Sequence, residues 1–181
     1  MNALSRLSRA PLFGILALLV AAGPVRAADW VEHKSADGGF SARFPSQPKT
    51  NVQEVQTAIG AIKMHMIITE QGNSGFTVIY AKFPDQVAQA PAEQILEGAK
   101  QGIIGKGIKV KTTKKISLGD HAGLELFGVD GNGMHLRARL YMVKTTMYQI
   151  LVASKTEQGL TNDDADRFVS SFRLMNTPEK R

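Results

Sequence analysis

Three segments in which apolar and polar residues alternate constrain the fold more than any other feature of the sequence. The alternation is clearest in the middle segment, where apolar residues occupy every second position from Met134 to Met142. A period of two sends successive side chains to opposite faces of a strand, so one face of this strand is expected to be buried. Asn132-Gly133 precedes it and tolerates the positive φ angles that a tight hairpin turn requires. We therefore predict an antiparallel meander at the centre of a sheet, with an apolar row that receives a helix. Its strands are Ala122–Asp130, Met134–Lys144 and Met147–Ser154.

The first 27 residues have the pattern of a secretory signal peptide. Two arginines precede an apolar run of eleven residues, 12–22. A Gly-Pro pair ends that run, and small residues follow at positions 25 and 27. A retained membrane anchor is the alternative, but a spanning helix needs roughly 20 apolar residues. We expect cleavage after Ala27, which leaves residues 28–181 as a single periplasmic or secreted domain without a transmembrane segment.

Part of the formal charge of +6 comes from the arginines of the predicted signal peptide. The residues beyond position 27 include 19 basic and 16 acidic ones, a net charge of +3. This balance removes most of the support for a nucleic-acid partner. The sequence has no cysteine, which excludes disulfides, Cys-ligated metals and thiol catalysis. The apolar core alone must therefore stabilise the exported domain.

The rest of the chain predicts further strands and two helices. Pro91–Ile104 has apolar residues at helical spacing, with Pro91 at the first helical position and Gly105 as the C-cap. A second helix is expected between its N-cap, Thr161, and Phe172. The predicted fold class is α+β: an antiparallel, meander-rich sheet of about six to eight strands with two main helices packed on it. The further strands are predicted at Trp30–Lys34, Phe40–Phe44, Thr50–Thr57, Ile62–Glu70, Phe76–Phe83 and Lys109–Ser117.

The histidines and methionines do not form a predicted metal site. Met64-His65-Met66 has the side chains that copper prefers. On a strand, however, His65 points away from both methionines, which we assign to core packing. His33, His121 and His135 lack the paired spacing of metal ligands, so we predict no metal.

No catalytic residues or cofactor site are predicted. Asp120-His121, near Ser117, lacks the Gly-x-Ser-x-Gly elbow and the geometry of a triad. Gly102–Gly107 has the composition of a phosphate loop, but it ends a helix and precedes a strand, the reverse of the required order. We expect the protein not to be an enzyme, and an enzyme of unknown type is the third hypothesis.

The stretch from Gly98 to Gly119 contains six lysines and no carboxylate. Such a patch suits an acidic protein or an anionic membrane surface. Alternatively, the lysines protect an edge strand against pairing with other strands. This alternative is favoured because no aromatic residues interleave with the lysines. Lys109, Lys111 and Lys115 are nevertheless the candidate partner surface.

His135, Arg137 and Arg139 form a second cationic row, on the polar face of the middle meander strand. Three cations in register could bind an anion or an acidic protein loop. They could equally pair with Glu125, or extend over the docked helices. The sequence leaves these alternatives open.

Five segments together carry a resemblance to a known superfamily: Gly39–Pro45, Gly119–Leu126, Arg139–Tyr141, Tyr148–Ile150 and Phe168–Leu174. Over most of Trp30–Leu174 the chain resembles the exported bacterial proteins related to PsbP, an extrinsic protein of photosystem II, and to the Ran-binding protein Mog1. The resemblance implies an antiparallel sheet with helices packed against it, and a non-enzymatic role in docking on larger assemblies. It assigns no site, because no partner-binding motif matches residue by residue.

Two functional hypotheses follow. The first is an exported accessory protein that binds another protein or an envelope component through its sheet edge or its basic faces. The second is a periplasmic carrier of a small molecule or lipid, with a cavity between the helices and the sheet. It rests on the many Met, Phe and Leu residues of the inward-facing rows.

Overall fold

A computed structural model of the chain describes residues 30–57 and 60–175. The predicted signal peptide, residues 1–27, lies outside these ranges, so its cleavage stays a prediction. The described residues form ten strands in two antiparallel sheets, and two α-helices. Neither helix is long and apolar enough to cross a membrane. The strands are β1 Val31–Ser35, β2 Phe40–Phe44, β3 Lys49–Thr57, β4 Gly60–Gln71, β5 Ser74–Lys82, β6 Lys109–Leu118, β7 His121–Val129, β8 His135–Val143, β9 Thr146–Ser154 and β10 Arg173–Leu174. The helices are α1 Ala92–Gly105 and α2 Asp163–Ser171, with short 3-10 helices at Asp85–Gln89 and Gln158–Leu160.

Seven strands form the main sheet, in the order β3-β4-β5-β9-β8-β7-β6. The predicted meander supplies β7, β8 and β9, and β9 is the central strand of the seven. Gly133 has a φ of 81° in the turn before β8, as the Asn-Gly pattern predicts. The predicted antiparallel α+β architecture is confirmed.

A smaller sheet, ordered β1-β2-β10, covers one face of the main sheet together with α2. The alternation in β2 points Phe40 and Phe44 inward, and neither is exposed to solvent. Phe40 stacks on Phe172 and Phe44 contacts Phe168, with 5.2 Å between ring centroids in both pairs. Burying each such ring contributes roughly 2–3 kcal/mol. This aromatic core holds the hairpin β1–β2 and α2 against the sheet.

The opposite face of the main sheet receives α1, which packs mainly on β7 and β8. Leu96 of α1 is 1% exposed and lies in a cluster with Leu126, Ala138 and Leu140. The apolar row of the middle meander strand therefore contacts a helix, as predicted.

The ends of both helices differ from the sequence prediction. The C-cap of α1 is Lys106 rather than Gly105, and Gly107, with a φ of 87°, is the left-handed residue that follows. The N-cap of α2 is Asn162 rather than Thr161, and its side chain accepts a backbone N–H from the first turn. Pro91, predicted at the first helical position, is instead the N-cap of α1. All three corrections shift a helix boundary by one residue and leave the helices in place.

Candidate functional site

The candidate lysines lie on β6, which forms one edge of the main sheet. Lys109, Lys111 and Lys115 are exposed, as is Lys114. Because β6 is the last strand of the sheet, its outer backbone groups have no neighbouring strand in the described part of the chain. We call Lys109, Lys111, Lys114 and Lys115 the lysine edge.

A β-bulge divides the lysine edge between two faces of the sheet. The pairing of β6 with β7 shifts at Lys111, which is the extra residue. Residues paired across an antiparallel ladder share a face. Lys114 pairs with Glu125, on the face that receives α2, and Lys109 shares that face. Lys115 lies on the face that receives α1, whereas a regular strand would align it with Lys109 and Lys111.

Most of the lysine edge has no carboxylate partner. Lys111 and Glu157 form an exposed pair, with 3.6 Å between nitrogen and oxygen, which contributes little stability. Lys109, Lys114 and Lys115 form no ion pair within residues 30–57 and 60–175. Their charge is therefore available to a partner.

The second cationic row is held in a cluster beneath α2. Arg137 is only 6% exposed. It donates to the Oε1 atom of Glu125 at 3.0 Å and to the Oδ1 atom of Asp166 at 2.6 Å. Arg139 donates to the same Glu125 oxygen at 2.7 Å. His135 is half-buried at the start of β8.

Of the alternatives that the sequence left open for the second cationic row, the structure shows pairing of Arg137 and Arg139 with Glu125. Asp166 belongs to α2 and Glu125 to β7, so Arg137 connects three elements. Arg137 also donates to the backbone oxygen of Leu160 at 3.0 Å, in the 3-10 helix before α2. The two arginines fasten α2 to the sheet, and little of Arg137 is left for a partner.

Two opposing effects act on the pKa of Glu125. Burial is the larger single effect and raises the pKa, because it strips water from the carboxylate. The hydrogen bonds and positive charges of Arg139 and Arg137 together outweigh burial, so the pKa lies below the ordinary carboxyl value. Glu125 is therefore ionised at neutral pH and neutralises the guanidinium groups beside it.

A groove that the sequence did not locate opens between α1 and strands β3, β4, β5 and β9. Its volume is about 340 Å3, and Lys106 is the one charged residue among those that line it. Gly98 and Gly102 of α1 form part of its wall, and a Cβ atom at either would meet no heavy atom within 4 Å. We call this space the α1 groove.

The prediction that the methionine row of β4 (Ile62, Met64, Met66 and Ile68) packs in the core is only partly right. Ile62 is buried, but Met64 and Met66 are half-buried and Ile68 is 39% exposed. The row is thus only partly in the core, because α1 packs on β7 and β8 and leaves β4 uncovered beside it. Two glycines four residues apart in the predicted helix were the available sequence signal.

Two of the four histidines, His65 and His33, make ring contacts. No group of three or more His, Asp or Glu side chains that could hold a metal ion occurs in the described ranges. His65 stacks on Tyr80 with 4.5 Å between ring centroids. His33 lies against Phe40 and Phe44, and burial lowers its pKa.

The residues considered for a triad are not brought together. Ser117 pairs with Ala122 and His121 pairs with Leu118 across the β6–β7 ladder. Successive residues of a strand point to opposite faces, so the Ser117 and His121 side chains lie on different sides of the sheet. They cannot act as nucleophile and base.

The comparisons with known proteins identify the fold. No protein-family model and no curated protein matches the sequence. The solution structure of cyanobacterial PsbP (CyanoP) from Synechocystis sp. PCC 6803 is similar, with a TM-score of 0.54, 12% identity, and coverage of 86% of this chain and 98% of that chain. The crystal structure of PA94, a protein of unknown function from Pseudomonas aeruginosa, has a TM-score of 0.42 and 11% identity, covering 73% of this chain and 86% of that chain. The similarity to CyanoP shows that the chain has a PsbP-like α+β fold, which confirms the fold that the resemblance implied.

Proposed function

We propose that the protein is an exported, non-enzymatic accessory protein that binds an acidic protein or anionic envelope component through the lysine edge. The observation that carries this proposal is an exposed edge strand within a stretch, Gly98–Gly119, that contains no carboxylate. Export to the periplasm or the medium rests on the signal-peptide pattern of residues 1–27.

Charge and backbone both suit β6 to an acidic partner. Neighbouring unpaired cations raise the local positive potential, which speeds the encounter with a negative surface. The free backbone groups of an edge strand can also pair with an added strand. The same lysines repel the β6 strand of a second copy, so the edge favours acidic partners over self-association.

Charge reversal on the lysine edge tests the proposal. We expect the triple variant Lys109→Glu/Lys114→Glu/Lys115→Glu to bind the envelope fraction of its host at least about tenfold more weakly than the wild type. The matched control reverses three exposed lysines elsewhere: Lys49, Lys63 and Lys155. Binding is measured by co-sedimentation of the mature protein with washed envelopes at several salt concentrations.

The arms of this experiment separate the two classes of partner. Protease treatment of the envelopes abolishes binding if the partner is a protein and preserves it if the partner is an anionic lipid or polysaccharide. If the lysine-edge triple variant and the control variant lose envelope binding equally, net charge alone drives the association. Unchanged binding by the edge variant would refute the proposal.

A further inference from the structure

We propose that the α1 groove binds a single-chain amphiphile with a carboxylate head, a ligand of the fatty-acid type. This site lies on the helix-covered face of the sheet and is independent of the docking proposed for the lysine edge. Its volume of about 340 Å3 falls in the lower part of the range of small-ligand pockets, roughly 300–1,000 Å3.

The walls of the α1 groove suit an alkyl chain. Apolar side chains from the sheet include Met64 and Met147, Phe83 follows the end of β5, and those from the helix include Ile95 and Ile103. Transfer of apolar surface from water into such a groove is favourable in proportion to the area buried. Methionine side chains adapt to chains of different length because they are unbranched and flexible.

The two glycines keep this space open at a cost in helix stability. A glycine within a helix is less stable than an alanine, because it loses more backbone freedom on folding. Neither Gly98 nor Gly102 is required by packing, since a Cβ atom at each would meet nothing within 4 Å. Both have negative φ angles, so no turn requires a glycine there either. The glycines widen the groove along one full turn of α1, as the passage of a chain beside the helix requires.

The polar groups of the α1 groove match one negative head. Among the described residues, Lys106 is the only charged one that lines the groove, and it forms no ion pair with any of them. Its backbone is held at the end of α1, because its N–H donates to the Ile103 oxygen at 3.1 Å, and its exposed side chain can reach the groove. Gln149 supplies an amide on the sheet side. One ammonium group and one amide suit a carboxylate at the end of an otherwise apolar molecule.

Calorimetric titration of the mature protein with decanoate and with decanol tests this inference. We expect saturable binding of one decanoate per chain, about tenfold tighter than binding of decanol, because only the acid pairs with Lys106. Lys106→Gln should reduce decanoate affinity to that of decanol. Gly98→Leu/Gly102→Leu should abolish binding of both, because the new side chains fill the groove.

A matched control uses the same helix. Gly105→Leu adds an identical side chain at a glycine of α1 that also has open space but does not line the groove, so it should leave binding unchanged. Leucine favours the helix more than glycine does, and thermal melts verify that every variant is folded.

Three results would overturn the inference. The first is the absence of saturable binding to the wild type. The second is equal affinity for decanoate and decanol with no effect of Lys106→Gln, which would indicate an uncharged occupant. The third is a wild-type dimer in sedimentation that Gly98→Leu/Gly102→Leu converts to a monomer, which would mean that a second copy covers the groove.

Discussion

At the scale of single residues, Glu125 pairs with the two arginines that contact α2. One of its oxygens accepts from Arg137 and from Arg139, at 3.0 and 2.7 Å. The Arg137 side chain is 7% exposed, so water cannot replace a lost Glu125. Without Glu125, Arg137 would keep only the exposed Asp166 as a carboxylate partner, and Arg139 would keep none among the described residues. Breaking a buried ion pair from one side is far more costly than breaking an exposed one, because a charge is left unpaired in the interior.

We therefore expect Glu125→Gln to lower the free energy of unfolding by roughly 3 kcal/mol at neutral pH. The control is Glu157→Gln, which removes the exposed partner of Lys111 and should cost less than about 1 kcal/mol. Urea denaturation followed by circular dichroism measures both. Equal effects of the two substitutions would contradict the structural role of the cluster.

The lowered pKa of Glu125 determines how the difference in unfolding free energy between wild type and Glu125→Gln changes with pH. A carboxyl group whose native pKa is depressed contributes stability above its unfolded value, and the contribution is lost as pH falls through the native pKa. The ordinary value is 4.5, so the gap between wild type and Glu125→Gln should be constant above about pH 5.5 and close progressively in acid. Denaturation curves across the acid range measure the gap. A gap that persists unchanged until the wild type unfolds would contradict the lowered pKa.

At the scale of elements, the glycines of α1 and of β7 have opposite roles. Gly102 faces open space in the α1 groove. Gly123 of β7 does not: a Cβ atom there would lie 2.5 Å from a ring carbon of Tyr141 and 2.6 Å from the backbone oxygen of Leu140. The carbonyl cannot rotate away without breaking the ladder, so the close approach of β7 and β8 requires a glycine.

Alanine substitutions should separate these roles. Gly102→Ala should raise the free energy of unfolding by about 0.5–1 kcal/mol, because alanine favours the helix. Gly123→Ala should lower it by roughly 2 kcal/mol or more, through overpacking. Thermal and urea denaturation of the two variants measure the sign of each change in unfolding free energy. A destabilising Gly102→Ala would show that the space in the groove is not free.

At the scale of the whole molecule, the main sheet is covered unequally. The smaller sheet and α2 pack on one face, whereas α1 packs on only part of the other. The lysine edge and the α1 groove are two of the regions that remain uncovered within the described part of the chain. They lie in different parts of the fold, which allows a partner and a ligand to bind at the same time.

The sequence predicts the meander well because a period of two in Met134–Lys144 has no helical interpretation. It does not show the bulge at Lys111, because nothing in the alternation of Lys109–Ser117 marks an extra residue. It does not show β10, because two residues carry no periodicity and their pairing with β2 depends on where α2 ends.

The sequence predicts some parts of the candidate site and not others, because the others depend on how distant elements pack. Exposure of the lysines follows from their position on an edge strand. The choice between a free and a paired Arg137 depends on the register that aligns Arg139 with Glu125, and on the docking of α2 that adds Asp166. The α1 groove depends on which strands α1 covers, and local sequence does not specify that contact.

The most direct test of the account is lysine footprinting of the mature protein, free and bound to host envelopes. An amine-reactive reagent, with mass spectrometry, reports the accessibility of each lysine. If β6 is the docking surface, Lys109, Lys114 and Lys115 become protected in the bound state. Labelling of Lys49, Lys63 and Lys155, which are exposed elsewhere on the molecule, then stays unchanged. Unchanged labelling of the lysine edge in a verified complex would contradict the central claim that β6 is the docking surface.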